Sequence, residues 1–386
     1  MKIEVAKNDL EAAVAVVSMA VGSGSDISAH YLFRIRDGKV SLLSYNQRLF
    51  ASSPLVCNVE GDEGGAFSVE AWRLDKWLAG VSDGVLTLTS EGSGDVQALG
   101  AKSKIRFRSL DPAKYPYWDE LYSKAKVIGT IQPASLSRAL DLTRWFVSAD
   151  DTSKPELCQI EAISGILWAT DRRALSSAEI PTLPDLNIRI PGKDVSAVMK
   201  FLGEKTTKER PVDIKEALRE QDEGGGACAI FERPDGSYIG VTRPTTKFPK
   251  LNVDRDAPAD AVLKVDLAEL SAAISVLSAG APKGHDAITF KYDKGAKSVS
   301  VSMPCEAGGA DDYPLLLASV DAEDKFDSPF TVDYCFLKGI GSTFGLDTLD
   351  LGINRKGRGG FLSFSHTDTS EDGKGNRYYS VIVWRN

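Results

Sequence analysis

Two helix-forming stretches recur three times along this chain, and that repetition limits its fold more than any other feature. The first stretch carries an apolar stripe at helical spacing: Leu10, Val14, Val17 and Val21, then Leu136, Leu140, Phe146 and Val147, then Leu267, Leu270, Ile274 and Leu277. The stripes start at positions 10, 136 and 267, so they lie 126 and 131 residues apart. Asp9, Ser135 and Asp266 stand just before them, and Asp266 with Glu269 has the form of a capping box. About sixty residues into each repeat a short strand runs into a second helix. These segments are FSVEAWRLDKWLAGV from Phe67, NIRIPGKDVSAVMKFLG from Asn187 and PFTVDYCFLKGIGSTFG from Pro329. Alternating stretches bounded by turn residues fill the intervals, and Asp37-Gly38 marks a two-residue hairpin. Each repeat thus reads helix, hairpin strands, strand, helix, strands. That predicts an α+β chain of three tandem domains, 1–122, 127–254 and 261–386, each with two helices packed on antiparallel sheets. Residues 119–127 and 254–262 read as polar connectors, and the charged run from Lys208 to Ala229, with its three glycines, reads as a surface excursion.

A length of 386 residues agrees with two or three cores rather than one. With 42% hydrophobic and 26% charged residues the composition is that of a globular protein, and no apolar run approaches the ~18 residues of a membrane span. The expected compartment is the cytoplasm. Five scattered cysteines argue against a disulfide framework, and His30, His285 and His366 share no metal-ligand spacing. No cofactor is expected. Gly22-Ser23-Gly24-Ser25 lacks the third glycine of a dinucleotide loop, having Ile27 there, and follows a helix. Gly203-Glu204-Lys205-Thr206 lacks the spacing of a phosphate loop. Asp150-Asp151 and Asp311-Asp312 read as solvated loop charges, so a catalytic centre is not expected.

The 46 basic and 54 acidic residues leave a net charge of −8, which repels nucleic acid unless the cations are segregated. The repeated helices offer such a segregation. The second helices carry Arg73 and Lys76, Lys193 and Lys200, and Lys338, and the first helix of the second repeat adds Arg138 and Arg144. Solvated helix faces explain the same pattern without DNA.

The opening MKIEVAKNDL, the run LWATDRRALSSAEIP followed by IRIPGKDVSAVMKFL, the KFPKL segment at Lys247 and the closing YSVIVWRN occur in an order and spacing that resembles the bacterial replicative sliding clamp, the beta subunit of DNA polymerase III. The resemblance spans the whole chain and implies a non-catalytic processivity factor. Two three-domain subunits would close head to tail into a homodimeric ring that encircles duplex DNA without reading its sequence. Partners implied are the polymerase III catalytic subunit, the clamp loader and other proteins carrying a clamp-binding motif, all in the cytoplasm at the nucleoid. The implied DNA-facing residues are Arg73, Lys76, Arg138, Lys193, Lys200, Lys247 and Lys338; Gly24 departs from the basic residue often found after the first helix.

The implied partner-peptide pocket comprises Leu157, Thr170, Arg172, Arg173, Leu175, Pro249 and the terminal residues Val381, Ile382, Val383, Trp384 and Arg385. Where the family reads Thr-Asp-Gly-His-Arg-Leu, this chain reads Thr170-Asp171-Arg172-Arg173-Ala174-Leu175, and the two arginines are expected to favour peptides with an acidic residue beside the apolar anchor. Leu157, Leu175 and Val381 read equally well as core. The alternative function is a clamp-fold scaffold that binds proteins and does not encircle DNA.

Overall fold

The computed structural model describes the chain except residues 62–63, 91–93, 117, 151, 204–209, 219–226, 252, 256, 322–325, 327–328, 357–358, 370–374 and 386, and except the side chains of 119, 218, 227, 356, 359, 384 and 385. Seven α-helices appear among the described residues: α1 (Lys7–Val17), α2 (Ala71–Gly80), α3 (Asp119–Ser123), α4 (Pro133–Arg144), α5 (Val195–Gly203), α6 (Leu267–Ser278) and α7 (Tyr334–Phe344). Six are the expected repeat helices. None is long and apolar enough to cross a membrane.

The chain forms two compact units, Met1–Pro133 with Ile188–Thr245 and Ala134–Asn187 with Thr246–Asn386. The segment expected as the second domain is thereby shared out. Backbone ladders explain the division. Tyr238–Thr242 pairs with Leu49–Leu55 in the first unit, and Ala174–Glu179 pairs with Arg377–Arg385 in the second.

The first unit holds two antiparallel sheets. One runs Cys57–Glu60, Lys2–Ala6, Val85–Ser90, Asp95–Gly100 and Ser103–Arg108 in spatial order. The other runs Lys126–Ile131, Val212–Leu218, Ala227–Glu232, Tyr238–Thr242, Leu49–Leu55, Lys39–Tyr45, His30–Arg36 and Ala66–Glu70. Helix α1 packs on α2, and the turn that follows it, Ser18–Ala20, packs on α5. The Asp37-Gly38 hairpin forms with φ of 51° and 68°, as a two-residue primed turn requires. Phe50 faces Gly240 across the strand pair, and its ring occupies the space a Cβ at Gly240 would need. The same ring stacks on Trp118 at 4.2 Å.

Two sequence expectations are corrected here. The 119–127 connector is structured: α3 and the next strand anchor it, Trp118 and Leu121 are buried, and Tyr122 stacks on Tyr238 at 4.4 Å. The Lys208–Ala229 excursion contains a sheet strand, Val212–Leu218, whose Val212, Ile214 and Ala217 are buried. Its alternation of apolar and charged positions was masked by the total charge. Residues 219–226, which hold the three glycines, lie outside the described residues.

In the second unit, one sheet path runs Gln159–Ile163, Ile166–Thr170, Ala174–Glu179, Arg377–Arg385, Phe330–Asp333, Ala287–Asp293, Ser298–Pro304 and Ala310–Leu315. Gly359–Thr367, Thr348–Lys356, Ala261–Asp266 and Ser319–Val320 branch from it. Asp311 and Asp312 therefore lie on a strand, not in a loop. The turn just after α4 meets α7: Phe146 stacks on Phe336 at 5.0 Å, and the Trp145 indole fills the space beside Gly339. Gly341 likewise admits Leu267 of α6. Glycine inside a helix costs about 1 kcal/mol relative to alanine, and here it lets α6 and the turn after α4 approach α7.

The capping box expected at Asp266 and Glu269 is only half formed. Asp266 accepts a bond from Glu269 N at 2.8 Å, but the Glu269 carboxylate turns away and accepts from Leu316 N at 2.5 Å and Leu317 N at 2.8 Å. Asp9 sits in the first turn of α1 and caps nothing, and Ser135 is buried, accepting from Asn376 Nδ2 at 2.6 Å.

Candidate functional site

Three kinds of charged surface emerge: lysines, most of them on helices, in each unit, a cleft in the second unit, and open sheet edges. Lys76, Lys193, Lys200 and Lys338 are exposed on α2, on the turn before α5, on α5 and on α7, and Lys247 is exposed in the segment after Tyr238–Thr242. Among the described residues none of these five forms an ion pair. The arginines behave differently. Arg73 lies 2.8 Å from Glu70 Oε2, with its guanidinium 5.3 Å from the centre of the exposed Trp72 ring. Trp72 in turn donates from Nε1 to Glu70 Oε1 at 2.5 Å. Arg138 is half-buried and bound to the buried carboxylate of Asp368, and Arg144 lies 2.6 Å from Asp141. The lysines are free to meet a polyanion; Arg138 is committed to the interior of its own unit.

The cleft, of about 480 Å³, belongs to the second unit. Phe336 and Ile382 are buried at its floor, Val383 stands half-exposed at its rim, and Arg172, Arg173, Asp286 and Asp333 supply its charge. The turn that carries the arginines is braced from within. Thr170 Oγ1 donates to Ala174 O at 2.7 Å and accepts from Arg172 N at 3.1 Å. Asp171 Oδ1 accepts from Arg173 N at 2.8 Å and Ala174 N at 2.9 Å, an Asx turn. Arg172 takes φ of 76°, the left-handed region that suits the glycine of the resembled motif. The turn also holds the last strand, since Val383 N donates to Arg173 O at 2.8 Å.

Both arginines have carboxylate partners. Arg172 Nη2 donates to Glu156 Oε1 at 3.1 Å. Arg173 Nε donates to Asp171 Oδ2 at 2.8 Å, and its Nη1 lies 3.5 Å from Asp333 Oδ2. Asp333 also caps α7, accepting from Cys335 N at 3.0 Å. Asp286 is exposed and, among the described residues, has no ion-pair partner. Beside them the Cys335 thiol is pushed up to about 11, first by burial and then by the charges of Asp333 and Asp286. A helix N-terminus ordinarily lowers a thiol; here burial, with the two carboxylates behind it, moves the thiol the other way.

Of the expected pocket residues, Arg172, Arg173, Ile382 and Val383 come together in this cleft. Leu157, Thr170 and Leu175 are buried away from its lining, as core and as turn bracing, and Pro249 and Val381 are half-buried outside it. The side chains of Trp384 and Arg385 lie outside the described residues. Sequence reading missed Asp286, Asp333 and Phe336; the signal for Asp333 is its place just before the second repeat helix, where a capping carboxylate belongs.

Open sheet edges form a third surface. Ser103–Arg108 ends the five-stranded sheet and exposes Lys104, Arg106 and Arg108 at alternate positions, with Lys102 just before them. Ala310–Leu315 ends the path in the second unit and exposes Asp311 and Asp312, with Glu306 before them and Leu316 84% and Leu317 65% exposed after them.

Antiparallel sheets backed by paired, repeated helices over this length are the fold of a DNA sliding clamp. The structure is similar to the DnaN sliding clamp (DNA polymerase III subunit beta) of Bartonella birtlesii, solved bound to griselimycin, with a TM-score of 0.80 at 16% identity, covering 100% of this chain and 99% of that one. It is similar to the DNA polymerase III beta subunit of Thermotoga maritima at a TM-score of 0.79 and 14% identity, with 100% and 99% covered. The DNA polymerase sliding clamp of Bacillus subtilis gives 0.78 at 17%, with the same coverage. No protein-family model and no curated protein matches the sequence.

Proposed function

We propose that the protein is a non-catalytic sliding clamp, a homodimeric ring that encircles duplex DNA and tethers polymerase and other partners to it. The observation that carries this reading is the likeness to solved clamps along the full length of both chains. In this reading three clamp domains, 1–122, 127–254 and 261–386, share sheets between neighbours. The unpaired lysines Lys76, Lys193, Lys200, Lys247 and Lys338, with Arg73, supply sequence-independent phosphate contacts. A topological link needs only weak contacts, so the net charge of −8 is compatible with sliding.

In this reading the ring closes through its sheet edges. The basic strand Ser103–Arg108 of one subunit adds to the acidic strand Ala310–Leu315 of the other, and Leu316 and Leu317, held outward by Glu269, supply the apolar contact. The charge difference makes the pairing head to tail, because like edges repel. The working place of such a ring is the cytoplasm, at the nucleoid.

Sedimentation should give about 83 kDa, twice the 41.6 kDa chain. Lys104→Glu with Arg106→Glu should give monomer, and mixing that variant with Asp311→Lys/Asp312→Lys should restore a one-to-one dimer. A wild-type chain that stays at 41.6 kDa at every concentration would favour the scaffold reading instead.

A further inference from the structure

We infer that the cleft of the second unit selects a peptide segment in which a cationic side chain flanks the apolar anchor. The inference rests on reading this cleft as the partner-peptide site, and it reverses the acidic preference that Arg172 and Arg173 suggest in the sequence. Four carboxylates, Glu156, Asp171, Asp286 and Asp333, surround two guanidinium groups. An incoming acid meets guanidinium groups whose charge is already offset by Glu156 at 3.1 Å from Arg172 and Asp171 at 2.8 Å from Arg173. An incoming ammonium or guanidinium meets Asp286, which lies in the field of Arg173 but forms no ion pair among the described residues, and Asp333, whose contact with Arg173 is long at 3.5 Å.

The floor fixes the rest of the ligand. Phe336 and Ile382 are buried beneath it and Val383 is half-exposed at the edge, so an apolar side chain seats between them. A volume of about 480 Å³ admits a few side chains of an extended segment. At the first turn of α7 the Cys335 thiol is raised chiefly by burial, with the negative field of Asp333 and Asp286 adding to it and Lys338 opposing them. A nucleic-acid strand is disfavoured by that field.

The test is a calorimetric titration of the full-length protein with three peptides that share a Leu-Leu anchor and differ only in the flanking residue: Lys, Gln or Glu. The Lys peptide should bind about tenfold more tightly than the Glu peptide at low salt, with Gln between, and the gap should narrow as salt rises. Asp286→Asn should erase the Lys advantage and leave the Gln peptide unchanged. Equal binding of Lys and Glu peptides, or a preference for Glu, overturns the inference while the peptide-site reading stands. If none of the three binds, or if Phe336→Ala in a protein of unchanged melting temperature binds the Gln peptide as well as wild type does, the peptide-site reading fails and the inference with it.

Discussion

The helix lysines and the cleft arginines carry the same charge and are handled in opposite ways. Lys76, Lys193, Lys200, Lys247 and Lys338 stand exposed without an ion pair among the described residues, whereas Arg172 and Arg173 are each paired with carboxylates of their own unit. A free ammonium on a flexible stem suits a mobile polyanion that must be held weakly at every register. A guanidinium already paired with a carboxylate has part of its charge offset and attracts a further acid less. The lesson is that counting cations in a sequence predicts ligand charge only after their partners are known.

The comparison breaks most visibly if the lysines do nothing. Replacing Lys76, Lys193, Lys200 and Lys338 with Ala should lower the slope of log affinity against log salt by about 3–4 units on duplex DNA, with an unchanged melting temperature. An unchanged slope would assign them to solvated helix faces. Arg173→Ala should do the reverse: DNA binding stays as it was, while stability falls by about 0.5–1 kcal/mol in chemical denaturation, as for an exposed ion pair. A loss of DNA binding in that variant would erase the distinction between the two sets.

Arg172→Gly should sharpen it. Relief of the left-handed backbone at φ 76° favours glycine by about 1–2 kcal/mol, offset by the freer unfolded chain and the lost Glu156 pair. A net gain of about 0.5 kcal/mol is expected, and a loss would mean that the ion pair outweighs the strain. The smallest effect concerns Cys335. With its thiol pushed up to about 11, alkylation near pH 8 should be about a hundredfold slower than for a free thiol, and should accelerate as pH approaches 11. Asp286→Asn should speed it at fixed pH, which peptide-resolved mass spectrometry reads directly.

Helix positions were legible in the sequence because apolar stripes at 10, 136 and 267 report local periodicity. The sheet partners were not, since Phe50 opposite Gly240 and Leu175 opposite Val381 are each separated by well over one repeat. The same distance hid half of the cleft. Arg172 and Ile382 could be named from motifs, but Asp286 and Phe336 reach them only through the fold. It also changes what a terminal truncation does. Arg377–Arg385 pairs with Ala174–Glu179, Phe330–Asp333 and Gly359–Thr367, so deleting 383–386 removes ladder bonds as well as the cleft rim. Point substitutions at Phe336 and Asp286 are the cleaner probes.

The central claim is that DNA is held by topology rather than by affinity. The direct measurement loads the protein with a clamp loader onto a nicked circular plasmid, removes free protein by gel filtration, and linearises half of the sample with a single-cutting enzyme. Encirclement predicts retention on the circle and loss from the linear form through its free ends. Equal retention on both forms would contradict it.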